Sequence, residues 1–313
     1  MAHNPGMSNN VLVIGRVGQV GHELARAPWP ANITTQFVER DQLDLGRPAE
    51  VKPAVVAMRP RIVINAGAYT AVDQAETERE GAFAINRDGP AALADACREI
   101  GAALIHFSTD YVFDGSKPGS YTESDPVNPL SAYGASKAAG DAAIAERLDR
   151  HVILRTSWVY SAVGHNFVKT MLRLGAERDE LRIVDDQHGA PTAAAELARA
   201  AIHIAAAIDA GRDDGFGVFN FTGAGATTWC GFARQIFAGA GERGAKTPRR
   251  VQAIATEDYP LPAPRPRNSR LDCAKIARTY GLAAKTWQES LSECLDELIG
   301  PVSQLRSAQG GGR

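Results

Sequence analysis

Tyr133 and Lys137 lie four residues apart in Ser131-Ala-Tyr-Gly-Ala-Ser-Lys137, and residues at i and i+4 share one face of a helix. A free tyrosine titrates near ~10, too high for ready proton transfer at neutral pH. A neighbouring ammonium favours the phenolate and lowers that value. The pair is therefore a candidate for passing a proton to or from an alcohol oxygen. Thr109 closes the apolar run Ala103-Leu-Ile-His-Phe107 after Ser108, and its hydroxyl is the candidate partner for the same oxygen. Upstream stands Gly15-Arg-Val-Gly-Gln-Val-Gly21. Gly15, Gly18 and Gly21 allow a tight turn and close approach of backbone to a pyrophosphate, and the free N–H groups of the helix behind them would receive its charge. Val17, Gln19 and Val20, between the glycines, share that assignment. A lone YxxxK is most often a solvated stretch of helix, and a lone glycine-rich turn is often only a turn. Their order along this chain predicts nicotinamide-dependent carbonyl chemistry.

The elements that must position these residues are legible as alternating apolar runs and helical stretches. Asn10–Ile14 reads as a buried first strand ending in glycine, and the helix opened by the glycine loop stops before Pro28 and Pro30. Further strands are expected at Gln36–Val38, Arg61–Asn65, Ala103–Phe107 and His151–Arg155. Helices are expected at Pro48–Met58, in two stretches around Asn86 between Glu78 and Ile100, and from about Ser131 to Leu148. Alternation of this kind predicts an α/β fold, a doubly wound, Rossmann-like parallel sheet, with a smaller C-terminal substrate lobe. Residues 9–160 and 190–222 are assigned to the dinucleotide-binding domain, including a strand near Val218–Phe221 that returns to the main sheet. Residues 161–189 and 223–300 form the substrate lobe, where Pro260–Pro266 can be neither regular helix nor central strand. Residues 1–8 and 301–313 are expected to be flexible ends.

In a doubly wound sheet ligands bind beyond the carboxyl ends of the strands, and the candidates fall there. Arg40 follows the second strand and could pair with a 2′-phosphate, whereas Glu39 and Asp41 beside it favour a free 2′-hydroxyl. Both NADPH and NADH stay open as cofactors. Asp44 and Leu45 lie where an adenine would be clasped, and Ala66, Gly67 and Ala68 are small enough for the cofactor to pass closely.

Composition narrows the class. The chain has 313 residues, 44% hydrophobic and 22% charged, with a net charge of -2. No basic tract points to nucleic acid, and no apolar run is long enough for a bilayer. Met1–Asn10 lacks the apolar stretch of a signal peptide. The four cysteines, Cys97, Cys230, Cys273 and Cys294, are widely spaced, which fits reduced thiols in a cytoplasm better than a disulfide framework or zinc site.

With these residues in place, the chain resembles the extended short-chain dehydrogenase/reductase family, and within it the enzymes that reduce nucleotide-linked ketosugars. The likeness runs from about Asn10 to Leu298. It is carried by Asn65–Asp73 (NAGAYTAVD), Ser108–Gly115 (STDYVFDG), Tyr133–Lys137 (YGASK), Arg155–Tyr160 (RTSWVY), Asn166–Leu174 (NFVKTMLRL), Asp186–Thr192 (DQHGAPT) and Arg265–Leu271 (RPRNSRL). The resemblance implies Thr109, Tyr133 and Lys137 as the catalytic set. It implies sugar-nucleotide contacts at Thr70, Val72, Tyr111 and Trp158, with Arg265 meeting the substrate diphosphate. The implied reaction is NAD(P)H-dependent reduction of the 4-keto group of a dTDP-sugar for cell-surface polysaccharide synthesis.

Some members of the family are homodimers bridged by magnesium through a glutamate after the glycine loop and another after Gly-Ala-Pro-Thr. Glu23 meets the first position. At the second, Pro191-Thr-Ala-Ala-Ala195-Glu196 places alanine where the acid would fall and Glu196 one step on, about 100° around a helix. No metal is assigned, and a homodimer remains among the assemblies implied. Two alternatives stay open: a reductase of another nucleotide-linked ketosugar, and a non-catalytic regulatory subunit like the β-subunit of methionine adenosyltransferase. A dehydratase is disfavoured, because Tyr111 follows Asp110 where such enzymes carry Asp-Glu.

Overall fold

The computed structural model describes residues 10–302; of the ends expected to be flexible, 1–8 and all of 301–313 beyond residue 302 lie outside the described residues. Five parallel strands carry the first half of the chain: β1 (Asn10–Ile14), β2 (Thr34–Val38), β3 (Ile62–Asn65), β4 (Ala103–Thr109) and β5 (His151–Thr156). Short strands follow: β6 (Val159–Tyr160), β7 (Glu180–Val184), β8 (His188–Gly189), β9 (Thr192–Ala193), β10 (Gly217–Asn220), β11 (Thr227–Thr228) and β12 (Arg250–Ile254). The main sheet runs β10-β5-β4-β3-β1-β2, so β10 returns to it as expected. Strand order reverses between β1 and β3, which places the switch point of the winding beside the glycine loop.

Strand residues alternate between two buried faces. Val11, Val13, Ile62, Ile64, Ala103, Ile105, Val152 and Leu154 pack against α1 (Gln19–Arg26) and a later helix, Ala194–Asp209. Leu12, Ile14, Val63, Leu104 and Ile153 face α2 (Pro48–Met58), α4 (Gly89–Ile100) and α5 (Ala132–Arg147). This explains why the strands read as continuous apolar runs, since both faces of a parallel sheet are covered. A third cluster, built from Val168, Met171, Leu181, Phe232, Ile236, Trp287 and Leu291, lies among the helices Phe167–Glu177, Trp229–Glu242 and Trp287–Ile299 and the parallel β7–β12 pair. The helix Ala274–Tyr280 departs from the expected division: Ile276 and Tyr280 join the main-sheet core, with Tyr280 edge-on to Phe219 of β10 at 5.6 Å. The apolar ring and its hydroxyl, which donates to the Gly215 carbonyl, are both satisfied against β10.

Helix α5 is held by contacts from several parts of the chain. Ser131 caps it by accepting the Gly134 N–H, and Glu76 accepts the Ala132 N–H. The two helical stretches expected around Asn86 are α3 (Arg79–Phe83) and α4, joined by a π-turn, Ala84–Asp88, that contains it. Asn86 donates to Ser136 and to the Tyr69 carbonyl and accepts the Tyr69 N–H. It thereby ties the loop after β3 to α5. A Cβ on Gly140 would lie 2.0 Å from the Asn86 carbonyl oxygen. Gly140→Ala is expected to push α5 off this turn and lower the unfolding free energy by about 1–3 kcal/mol, measured by chemical denaturation; an unchanged midpoint would refute the contact.

Candidate active site

The glycine loop is built for close backbone approach. Gly15 has φ +90°, and a Cβ there would lie 2.6 Å from the Gly67 nitrogen. A Cβ on Gly21 would lie 2.0 Å from the Gly15 carbonyl oxygen. Helix α1 starts at Gln19 and Val20 with Gly18 as its cap and no side chain on its first N–H groups, leaving donors and a favourable dipole for an anion. Val17 stands exposed beside them. These residues fit a dinucleotide pyrophosphate. Gln19 has a second function that the glycine pattern could not disclose: its side-chain oxygen accepts from Asn166 and Ser161, tying the loop to the cap of the helix Phe167–Glu177.

Around the loop, Arg40 is exposed and tethered to Asp44 at 3.2 Å, while Glu39 lies 3.6 Å from Arg16. Exposed pairs of this kind are weak, so Arg40 can turn to a 2′-phosphate at little cost. Leu45 is buried in the α2–α4 core under Gly67. It shapes the floor of the cleft instead of presenting a free side chain. Ala66 and Gly67 are half-buried, and Ala68 and Thr70 are exposed.

Thr109 is the last residue of β4, and Tyr133 and Lys137 project from the first turns of α5. The Thr109 hydroxyl donates to Asp110 at 3.0 Å and accepts the Tyr111 N–H. It also acts on the Tyr133 phenol, favouring the phenolate. The expected effect of Lys137 on that phenol is not what the structure has. Burial, reinforced by the carboxylates of Asp110 and Asp141, pushes the Tyr133 hydroxyl up to about 12 against the effect of Thr109. Lys137 turns inward, donating to the Phe107 carbonyl at 2.6 Å and lying 3.0 Å from His106 Nε2. Burial brings its amine down to about 8 against the pull of Asp141. Asp141, one turn further along α5, accepts from Ser108 and Arg155.

A cavity of about 780 Å³ opens beside this set. Tyr111 lines it and packs edge-on against Tyr133, ring centroids 5.7 Å apart. Val72 is half-buried near its Asp73 neighbour. Arg265 grips Asp73 with both terminal nitrogens, at 2.5 and 2.7 Å. The fork-to-carboxylate geometry satisfies it, and the Ala263 N–H joins the same carboxylate. Arg265 thus fastens the proline-rich segment over the cavity. Arg178 and Arg182 also line the wall and enter no ion pair among the described residues.

Trp158 has φ +48°, a conformation that costs a bulky residue about 1–3 kcal/mol. It is held by stacking on Trp229 at 3.6 Å, with Gly189 against its edge. Trp229, not Trp158, lines the cavity, and its indole donates to Gln187, which donates to Thr256. Trp229, Gln187 and Thr256 were not singled out from the sequence; only Gln187 lay in a quoted motif. Of the two glutamates weighed for a metal, Glu23 pairs with Arg26 at 2.9 Å, and Glu196 pairs with Arg199 at 2.7 Å and accepts the Lys285 N–H.

Fold and site together define a dinucleotide-binding α/β protein with a Thr-Tyr-Lys cleft of the extended short-chain dehydrogenase/reductase kind. The sequence matches the family described as RmlD substrate binding domain over residues 9–299, and the chain belongs to that family. It is 42% identical over 294 residues to dTDP-4-dehydrorhamnose reductase of Escherichia coli, covering 93% of this chain and 98% of that one. The crystal structure of a dTDP-4-dehydrorhamnose reductase from Clostridium acetobutylicum superposes with a TM-score of 0.85 at 37% identity, covering 92% and 99% of the two chains. A Bacillus anthracis dTDP-4-dehydrorhamnose reductase in complex with NADP gives 0.84 at 35% identity, covering 93% and 100%.

Asp110 supplies a test of the site's electrostatics. It is buried, one carboxylate oxygen has no partner among the described residues, and burial raises its pKa to about 6 against the hydrogen bonds it receives. The folded state therefore keeps a proton that the unfolded chain releases near its ordinary ~4. Stability is present below that pH and falls as pH rises towards 6. Asp110→Asn is expected to remove this loss and raise the unfolding free energy at pH 7 by roughly 1–3 kcal/mol, seen as a flatter stability profile between about pH 4 and 6 in denaturant titrations.

Proposed function

We propose that this chain is an NAD(P)H-dependent reductase that converts dTDP-4-dehydro-L-rhamnose to dTDP-L-rhamnose, for cell-surface polysaccharide synthesis. The observation that carries the reading is the placement of Thr109, at the end of β4, and of Tyr133, on α5, with Tyr111 edge-on to Tyr133 at the wall of the large cavity. The family match and the relatives' activity support the substrate. Gly15, Gly18, Gly21 and the start of α1 would hold the cofactor's pyrophosphate, with Arg40, Asp44 and Ala66–Ala68 along its path. When bound, the reduced nicotinamide supplies a hydride.

Tyr133 donates its proton to the oxygen that becomes the alcohol. Burial keeps this phenol protonated at neutral pH, so its proton is available as the carbonyl oxygen turns into alkoxide. Thr109 orients that oxygen once its hydroxyl, donated to Asp110 in the free site, turns to it. Tyr111 and Trp229 wall the sugar-nucleotide side, Trp158 backs Trp229, and Thr70 and Val72 border the approach. Arg178 and Arg182 meet the diphosphate beside Arg265, which also keeps the proline-rich segment closed down through Asp73. The homodimer and the cytoplasmic setting implied by the resemblance belong to the same reading. No helix among the described residues is long and apolar enough to cross a membrane, and three of the four free cysteines are buried.

The deciding experiment mixes the pure protein with dTDP-4-dehydro-L-rhamnose and NADPH or NADH, follows loss of reduced-nicotinamide absorbance, and identifies the sugar formed. No consumption with either cofactor would refute the assignment. Tyr133→Phe is expected to lower kcat by about 10²–10⁴, with cofactor affinity within a few-fold by fluorescence titration. Arg182→Ala is expected to raise KM for the sugar nucleotide by roughly tenfold, the loss of one charge-assisted contact, with kcat nearly unchanged; an unaltered KM would remove Arg182 from the diphosphate site.

A further inference from the structure

Asn65, His106 and Lys137 form a buried hydrogen-bonded chain that the reaction as described leaves unexplained. Sheet register sets Asn65 of β3 directly beside His106 of β4. Asn65 Nδ2 lies 3.0 Å from His106 Nδ1, and His106 Nε2 lies 3.0 Å from Lys137 Nζ. At the other end, Asn65 Oδ1 accepts the Gly67 N–H at 3.1 Å. The three side chains are at most 2% exposed, so water does not complete their hydrogen bonds.

The protons in this chain can be counted. The Gly67 N–H can only donate, so the Asn65 atom facing it is the oxygen and the atom facing His106 is the amide nitrogen. His106 Nδ1 therefore accepts, and the ring carries its proton on Nε2, aimed at Lys137. Burial first, and the lysine charge second, hold this imidazole in its neutral form. A neutral Lys137 amine can accept the Nε2–H and still donate to the Phe107 carbonyl. An ammonium cannot accept. It needs a bare Nε2, the ring proton on Nδ1, and Asn65 turned over, which leaves the Gly67 N–H facing an NH₂ group. The lysine proton, the imidazole tautomer and the Asn65 orientation thus make one two-state unit. The remaining ionisable groups around it are Asp141 one turn along α5, which favours the ammonium and is itself paired with Arg155 of β5, and Tyr133 one turn back with Asp110 behind it.

We propose that Asn65 and His106 are positioning residues that couple the proton on Lys137 to the backbone N–H of Gly67, the point where the cofactor is expected to pass. The geometry stands on these hydrogen bonds alone; its consequence for turnover rests on the reductase reading. Nitrogen-15 NMR of the His106 ring in the full chain, without added ligand, is expected to find Nε2 protonated and Nδ1 bare above about pH 8, where the Lys137 amine is neutral, and the ring proton moved to Nδ1 below it. In Asn65→Asp the new carboxylate accepts from both Gly67 and Nδ1–H. The ring proton should then move to Nδ1, and the Lys137 titration, read from its ε-carbon, should rise by about one pH unit or more. The basic limb of kcat against pH should shift by the same amount, while KM for the sugar nucleotide stays within about twofold. A wild-type ring protonated on Nδ1 above that pH, or a tautomer that does not follow the Lys137 titration, would overturn the proposal, and so would a tautomer above that pH unchanged in Asn65→Asp. The wild-type spectrum decides even if that variant does not fold. Failure to reduce any ketosugar with the tautomer switch intact would sink the reductase reading and leave the coupling standing.

Discussion

Helix α5 must lay two ionisable side chains, Lys137 and Asp141, onto a face of the sheet that is otherwise apolar, and a buried charge is costly unless it is paired and hydrogen-bonded. The sheet answers at the carboxyl ends of its central strands. Leu104 and Ile153 give way along the same face to His106, Ser108 and Arg155, and register places Ser108 beside Arg155 as it places Asn65 beside His106. Lys137 meets His106 and the Phe107 carbonyl; Asp141 meets Ser108 and Arg155. The position of Tyr133 follows, because it rides on the same helix one turn before Lys137.

That arrangement explains the proton affinities at the site. The environment that excludes water from Lys137 also surrounds Tyr133 and Asp110, so burial lowers the amine and raises the phenol and the carboxyl. The phenol is thereby kept as an acid able to give a proton, and the nearby hydroxyl of Thr109 links it to Asp110. On the substrate side, rigidity has other sources: the bidentate Arg265–Asp73 pair across the cavity, and the stack of Trp158 on Trp229 that holds a left-handed backbone in place.

Much of this was legible in the chain. Apolar runs of four to seven residues located the strands because both faces of the parallel sheet are buried, and Gly15, Gly18 and Gly21 marked the loop because their spacing reflects a backbone requirement. Tyr133 and Lys137 were found because their helical spacing is local. The Asp73 partner of Arg265 could not be read from the chain because it lies 192 residues away, and a lone arginine in a motif gives no sign of which carboxylate it meets. Trp229 was passed over for the same reason: its neighbours Trp158 and Gln187 come from a different part of the chain. The packing of the helix Ala274–Tyr280 on the main-sheet core was not legible, because its amphipathic pattern says that it packs, and not on what.

Local order in the polypeptide was enough to determine the α/β winding, the glycine turn and the shared helical face of the phenol and the amine, since each depends on dihedral preference and hydrophobic period within a few residues. Which way the Lys137 amine turns, which arginines remain unpaired along the cavity, and which nitrogen of His106 carries the proton were decided only when distant strands came into register. Charge pairing and desolvation depend on distance in space, and separation along the chain does not encode it.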